Sequence, residues 1–89
     1  MPRVVFTSNL QRHVNCAETQ VAAGTLREAL AQVFAAQPQV RDYIVDEQGE
    51  LRKHVAVFID GARVRDRAHL SDPVREASEI HVLQALTGG

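Results

Sequence analysis

Residues 24–36 read Gly24-Thr25-Leu26-Arg27-Glu28-Ala29-Leu30-Ala31-Gln32-Val33-Phe34-Ala35-Ala36. Thr25 and Glu28 have the spacing of a capping box, in which each side chain binds a free backbone amide at the start of a helix. The apolar residues that follow recur at i, i+3, i+4, i+7 and i+8, which is the spacing of one helix face. Because Pro38 disfavours helical geometry at the residue before it, the helix should end near Ala36. The stretch therefore predicts a helix with a single apolar face.

Strand-length runs lie on both sides of this helix. Residues 54–60 form the most continuously apolar run and are rich in β-branched residues, which predicts a strand at the sheet centre with neighbours on both sides. The following Asp60-Gly61 is typical of a type I′ hairpin turn, so residues 62–64 should return as a short strand. Three more strands are predicted, at residues 3–7, at residues 18–22 as an antiparallel partner of the first, and at residues 79–86.

The remaining segments lack a clear period. We expect a turn or loop at residues 8–11, a short irregular segment across the helix end at residues 40–44, and a polar turn at residues 46–50. Leu70 is expected to be buried, with a tight turn at residues 71–74. One helix face and several strands favour a single α+β domain over residues 1–89, with one mixed sheet curled over one main helix.

Composition excludes several classes of function. The net charge is −1, which favours neither nucleic acid nor an anionic membrane as a partner. No apolar run approaches the ~18 residues of a membrane span, and no export signal follows Met1, so a soluble, cytoplasmic protein is expected. Nine of the ten basic residues are arginine, which leaves Lys53 as the only lysine.

The side chains offer little chemistry of their own. The four histidines stand singly, without a carboxylate or cysteine at ligand spacing, so no metal site is expected. Cys16 has no partner for a disulfide or for nucleophilic catalysis. Because no glycine-rich loop opens a helix and no nucleophile elbow is present, we expect neither a bound cofactor nor an enzyme.

The C-terminal residues Thr87-Gly88-Gly89 remain as the candidate reactive group. They carry no apolar anchor, so residues 87–89 should form a flexible tail, and the two glycines let a partner's groove close around a terminal carboxylate. Activation as an acyl-adenylate in another protein's nucleotide site would make that carboxylate reactive towards sulfur. A frayed chain end is the alternative interpretation.

The order of these signals resembles the MoaD/ThiS-like family of small ubiquitin-like sulfur carriers, which includes the molybdopterin synthase small subunit and the thiazole-synthesis carrier. The resemblance rests on residues 25–30 at the helix start, residues 57–61 at the hairpin, and the block from residue 70 to Gly88-Gly89. It implies a ubiquitin-like β-grasp fold, in which the last strand lies between earlier ones. The chain departs from many members at Gln84, where they carry proline, and at Ala77-Ser78, where they carry Gly-Asp.

The resemblance also implies a function. An E1-like enzyme would use ATP to adenylate Gly89, sulfur would convert the adenylate to a thiocarboxylate, and a synthase in cofactor or cysteine biosynthesis would accept the sulfur. Gly88 would give access to the terminus. Partners would bind an apolar face near Phe58, Leu83 and Leu86, together with Thr87, although Phe58 could instead belong to the core.

Two alternative functions remain, of which the first uses the same terminus and the second does not. The chain could be a ubiquitin-like modifier that is conjugated through Gly89 to target lysines, or an interaction domain with an incidental Gly-Gly. The polar segment at residues 46–53 resembles members that donate sulfur for cysteine synthesis, or archaeal-type modifiers. A monomer or one part of a hetero-oligomer is expected.

Overall fold

The computed structural model describes residues 1–84, and Ala85–Gly89 lie outside the described residues. The predicted flexible tail at residues 87–89 therefore falls outside the part described. In chain order, the helices and strands of residues 1–84 are β1 (Arg3–Phe6), α1 (Ser8–Gln11), β2 (Thr19–Gln20), β3 (Gly24–Thr25), α2 (Leu26–Ala36), α3 (Pro38–Ile44), β4 (Val55–Ile59), β5 (Ala62–Arg63), β6 (Pro73–Val74) and β7 (Glu79–Gln84).

Helix α2 begins with the predicted capping box. The Thr25 hydroxyl accepts a hydrogen bond from the Glu28 amide at 3.2 Å, and the Glu28 carboxylate accepts one from the Thr25 amide at 2.9 Å. The apolar face is buried against the sheet, with Leu26 and Val33 0% exposed. The helix and its single apolar face are confirmed, and the helix packs on one face of the mixed sheet as predicted.

The substitution Thr25→Ala is expected to lower the free energy of unfolding by about 1 kcal/mol, because it removes the acceptor for an amide that the helix leaves free. For a domain of this size the melting temperature should fall by about 4–8 °C. Thr7→Ala is the matched control, since Thr7 occupies the corresponding position before α1 but its side chain makes no capping hydrogen bond. Equal losses in thermal melts of the two variants would contradict the role of Thr25.

The main sheet has five strands within the described residues, in the order β2-β1-β7-β4-β5. Strand β7 runs parallel to β1, with Val4 opposite Ile80, and antiparallel to β4, with Val57 opposite Val82. The prediction that residues 54–60 have neighbours on both sides is confirmed, but their central position is wrong. The middle strand is β7, because its residues 79–82 pair with β1 on one side and its residues 80–84 pair with β4 on the other.

The two predicted antiparallel pairs around the sheet are present. Asp60 and Gly61 have φ of 51° and 84°, the positive values that a two-residue turn between β4 and β5 requires. At the other end, β2 pairs with β1, with Val4 opposite Thr19. Both hairpin predictions are confirmed, although the connection from β1 to β2 is longer than a simple turn.

Two segments predicted as irregular are helices. Residues 8–11 form α1, which buries Leu10 completely, and residues 38–44 form α3, which buries Val40 and Ile44 completely. Pro38 ends α2 and also begins α3, because its fixed φ and missing amide suit the first position of a helix. Burial of the three apolar side chains stabilises these short helices, whose local sequence carries only a weak signal.

The tight turn predicted at residues 71–74 is also wrong, since Pro73–Val74 forms β6. This strand pairs with β3 in a separate two-stranded sheet, with Val74 opposite Gly24. The loop before it receives hydrogen bonds from the first two amides of α2, from Arg27 to the Leu70 carbonyl and from Leu26 to the Asp72 carbonyl, both at 2.9 Å. Leu70 is 4% exposed, as expected.

Asp66 organises this loop and gives it a pH dependence. The Ser71 hydroxyl and then the His69 amide donate to its carboxylate, which lowers the pKa of Asp66 from 3.8 to about 2. A depressed folded-state pKa means that the contribution of ionised Asp66 is present above pH 3.8 and is lost as the pH falls towards 2.

We expect Asp66→Asn to lower the melting temperature at pH 5–7, with a difference from the wild type that shrinks as the pH falls from about 4 to about 2. Ser71→Ala should reproduce part of this behaviour, because it removes the largest cause of the shift. Thermal melts across this pH range test the prediction, which a constant difference would contradict.

Candidate functional site

Strand β7 leads directly to the residues that the sequence singles out. It ends at Gln84, and Leu86, Thr87, Gly88 and Gly89 lie outside the described residues. The described part of the site is therefore the surface around the end of β7.

Phe58 and Leu83 lie on the same face of the sheet, opposite the helices. Side chains alternate along a strand, and Ile80 and Val82 of β7 point into the core with 0% exposure. Leu83 therefore points outwards, and it lies opposite Ala56, two residues before Phe58 on β4. Both side chains are half-buried and neither belongs to the core cluster. We call the surface that Phe58 and Leu83 form the outer apolar face.

Charged side chains border the outer apolar face. The Arg63 guanidinium lies 5.9 Å from the centre of the Phe58 ring, within the range of a cation–π contact. His81 of β7 lies directly opposite Phe58, and its Nε2 is 3.0 Å from the Glu79 carboxylate. Arg3 also binds Glu79, and this hydrogen bond raises the pKa of Arg3. The arrangement gives an apolar centre with a charged rim.

A second cluster of side chains lies at the same end of β7, on the face of the sheet that the helices cover. The Tyr43 hydroxyl of α3 donates a hydrogen bond of 2.7 Å to the Gln84 side-chain oxygen. The Tyr43 ring meets His54 edge-on, with ring centres 4.8 Å apart, and stacks on His13 at 6.1 Å. Among the described residues, His54 Nε2 is buried without a hydrogen-bond partner. No sequence signal identified this cluster, because Tyr43 and Gln84 are 41 residues apart.

Metal binding needs clustered ligands, and nucleophilic catalysis by a cysteine needs an accessible thiolate. No group of three or more His, Cys, Asp or Glu side chains lies close enough to hold a metal ion within residues 1–84. Cys16 is 8% exposed, and burial raises the pKa of its thiol. A raised pKa lowers the thiolate fraction, which makes this cysteine a weaker nucleophile.

Membrane insertion of a helix would need a long apolar segment. Across residues 1–84, every helix is too short or too polar to span a bilayer.

The fold is similar to those of several solved structures. A chain of the Amycolatopsis orientalis BexX/CysO complex matches with a TM-score of 0.80 and 20% identity, covering 100% of both chains. CysO from Mycobacterium tuberculosis matches with a TM-score of 0.79 and 17% identity over 97% of this chain and 100% of that one. SAMP1 from Haloferax volcanii matches with a TM-score of 0.74 and 20% identity over 99% and 98%. These likenesses confirm the ubiquitin-like β-grasp fold.

Sequence comparison assigns the family. No curated protein sequence matches the chain significantly. The sequence model of the ThiS family matches residues 8–89, which is nearly the whole chain and includes Gly88-Gly89. This match and the fold confirm the resemblance drawn from the sequence. The chain therefore belongs to the ThiS family of ubiquitin-like sulfur carriers.

Proposed function

We propose that this chain carries sulfur on a thiocarboxylate at Gly89. An E1-like enzyme adenylates the Gly89 carboxylate with ATP and releases pyrophosphate. A sulfur nucleophile then displaces AMP, and the thiocarboxylate donates its sulfur to a synthase in cofactor or cysteine biosynthesis. The match of the ThiS family model through Gly88-Gly89 is the observation that supports this proposal most directly.

In this reaction the chain is a co-substrate rather than an enzyme. It supplies the reactive group and must be recharged after each transfer. ATP binds to the activating enzyme, and Gly88 leaves room for that enzyme's groove to close around the terminus, because it has no Cβ.

We further propose that the outer apolar face binds the activating enzyme and the synthase. Its apolar centre and charged rim have the character of a protein interface. Leu86 and Thr87 extend this contact towards the terminus in the proposal. One of the similar structures is a complex of CysO with BexX, which supports a protein partner for this chain as well.

Intact mass spectrometry tests the proposed chemistry. The purified chain is incubated with the E1-like enzyme from the same genome, ATP and sulfide. The expected result is a mass increase that corresponds to replacement of one oxygen by sulfur, at Gly89 and only when ATP is present. An enzyme that converts another carrier under these conditions and leaves this chain unchanged would contradict the proposal.

A protein modifier is the second candidate function. The similar structures include SAMP1, a small archaeal modifier protein, and the same adenylated Gly89 could react with a lysine of a target. Adducts of higher mass on blots against this chain, linked through Gly89 to lysine, would favour the modifier. Because Lys53 is the only lysine, chains built from this protein alone would have one attachment point per copy apart from the N-terminus.

Phe58→Ala is expected to raise the KM of the chain as a substrate for adenylation by about 5- to 30-fold. This corresponds to a loss of about 1–2 kcal/mol, between the cost for an average interface residue and that for a central aromatic hot spot. Phe34→Ala is the matched control. It makes the same chemical change on α2, where Phe34 is half-buried against the core and away from the outer apolar face. Steady-state pyrophosphate release measures both, and an equal effect of the two substitutions would contradict the interface.

A further inference from the structure

Within the described residues, the C-terminal end of β7 pairs with only one neighbouring strand. Strand β1 pairs with β7 from Glu79 to Val82, whereas β4 pairs with it as far as Gln84. Within the described residues, Leu83 and Gln84 thus have a strand partner on one side only. These are the last two residues before Ala85, where the path to Gly89 begins.

A side-chain hydrogen bond from Tyr43 also holds Gln84. At 2.7 Å it has the ordinary length of a hydroxyl hydrogen bond, and it is partly buried, so water competes with it less than at the surface. The Tyr43 ring has little freedom to move, because it packs against the core and meets the rings of His54 and His13. The donor is therefore presented to Gln84 in a fixed position.

Helix α3 provides a rigid base for this tyrosine. Val40 and Ile44, on either side of Tyr43, are 0% exposed. The helix is also tied to the segment before β4, since the Asp42 carbonyl accepts a hydrogen bond of 2.7 Å from the Arg52 side chain. Movement of Tyr43 away from Gln84 would break several of these contacts together.

We propose that Tyr43 is a positioning residue for the C-terminal reaction, because its hydrogen bond to Gln84 fixes the point from which the last five residues start. This inference rests on the proposed function. A partner that binds the terminus must order the residues leading to it, which costs conformational entropy. This cost is smaller if Gln84 is already held in place. Loss of the Tyr43 hydroxyl should therefore weaken capture of the terminus and leave the chemical step unchanged.

Nuclear magnetic relaxation of the free protein tests the anchor without any partner. In Tyr43→Phe, which keeps the ring and its packing, the backbone order parameters of Leu83 and Gln84 should fall from about 0.85 towards about 0.6. Gln39→Ala is the matched control, because it removes a hydrogen bond of the same length from the same helix but not to β7. Unchanged order parameters in Tyr43→Phe would overturn the proposal.

A double-substitution cycle separates the bond from its two side chains. Gln84→Met removes the acceptor, so adding Tyr43→Phe to it should reduce the order parameters of Leu83 and Gln84 no further. Gln84→Glu retains an acceptor oxygen and should keep them close to the wild-type values. Additive losses in the double variant would show that the two residues act independently, which would also overturn the proposal.

Adenylation kinetics then test the role in the reaction. For Tyr43→Phe, KM should rise by about two- to tenfold, the range for a lost hydrogen bond, with kcat within about twofold of the wild type. Gln39→Ala should leave both constants unchanged. A wild-type KM in Tyr43→Phe would overturn the positioning role. If the wild-type chain is not adenylated at all while the relaxation results hold, the proposed function fails and the anchor stands.

Discussion

Removal of Gly89 is expected to reduce thiocarboxylate formation by at least about 100-fold and to leave the fold unchanged. The truncated chain still ends in a glycine carboxylate, that of Gly88, but this group lies one residue closer to Gln84, a shift of about 3.3–3.6 Å along an extended chain. Because misplacement of a reacting group by 1 Å can cost about 100-fold in rate, the shifted carboxylate should miss the nucleotide site.

Two measurements on the truncated chain check this expectation. Intact mass after reaction with the E1-like enzyme, ATP and sulfide should show no gain, and the melting temperature should match that of the wild type. Gly89→Ala is the companion variant, since it keeps the chain length and adds only a Cβ beside the carboxylate. It should react more slowly than the wild type and faster than the truncated chain. Full conversion of the truncated chain would refute Gly89 as the sulfur-bearing residue.

Ile80→Ala is expected to cause the largest loss of stability, about 2–5 kcal/mol. Ile80 is 0% exposed in β7, and it lies opposite Val4 of β1 and Ile59 of β4, so the cavity would open at the centre of the sheet. Total stabilities of small domains are about 5–15 kcal/mol. The substitution should therefore lower the melting temperature by about 8–40 °C and leave a measurable unfolded fraction at 37 °C.

The matched control for this prediction is His81→Ala, at the next residue of the same strand. The His81 side chain points to the opposite face, is 40% exposed, and forms one exposed side-chain pair with Glu79, with Nε2 3.0 Å from the carboxylate. Exposed pairs of this kind contribute about 0–1 kcal/mol, so the loss of stability should be small. Urea unfolding of both variants gives the comparison. A cost for Ile80→Ala no larger than that for His81→Ala would contradict the central position of β7.

The loss of stability in Ile80→Ala also has a functional consequence. The strand that loses its central contact is the one that leads to Gly89, so fraying of β7 would release Gln84 from Tyr43. Activity measured well below the melting temperature should therefore fall by more than the unfolded fraction alone explains.

Local sequence determined much of the fold. The capping box of Thr25 and Glu28, the apolar face of α2, and the turn at Asp60-Gly61 are confirmed, because each depends on residues within a few positions of one another. The run at residues 54–60 likewise indicated a strand with two neighbours. The family resemblance also followed from the order of these signals, and the match to the ThiS family confirms it.

Local sequence did not predict helix α3 or strand β6. Helix α3 was missed because Pro38 was considered only as the end of α2, whereas burial of Val40 and Ile44 stabilises a new helix beyond it. Strand β6 was missed because its partner, β3, lies about 50 residues earlier in the chain. Its own two residues carry no strand period.

The candidate site was also predicted only in part from the sequence. The sequence indicated Gly88-Gly89 as the candidate reactive terminus and predicted Phe58 and Leu83 as partner-binding residues. Only the tertiary structure decided that these two side chains share the outer face, that β7 lies in the middle of the sheet, and that Tyr43 binds Gln84. The reason is that a strand's neighbours and a side chain's partners depend on contacts between residues far apart in the chain, which no short segment encodes alone.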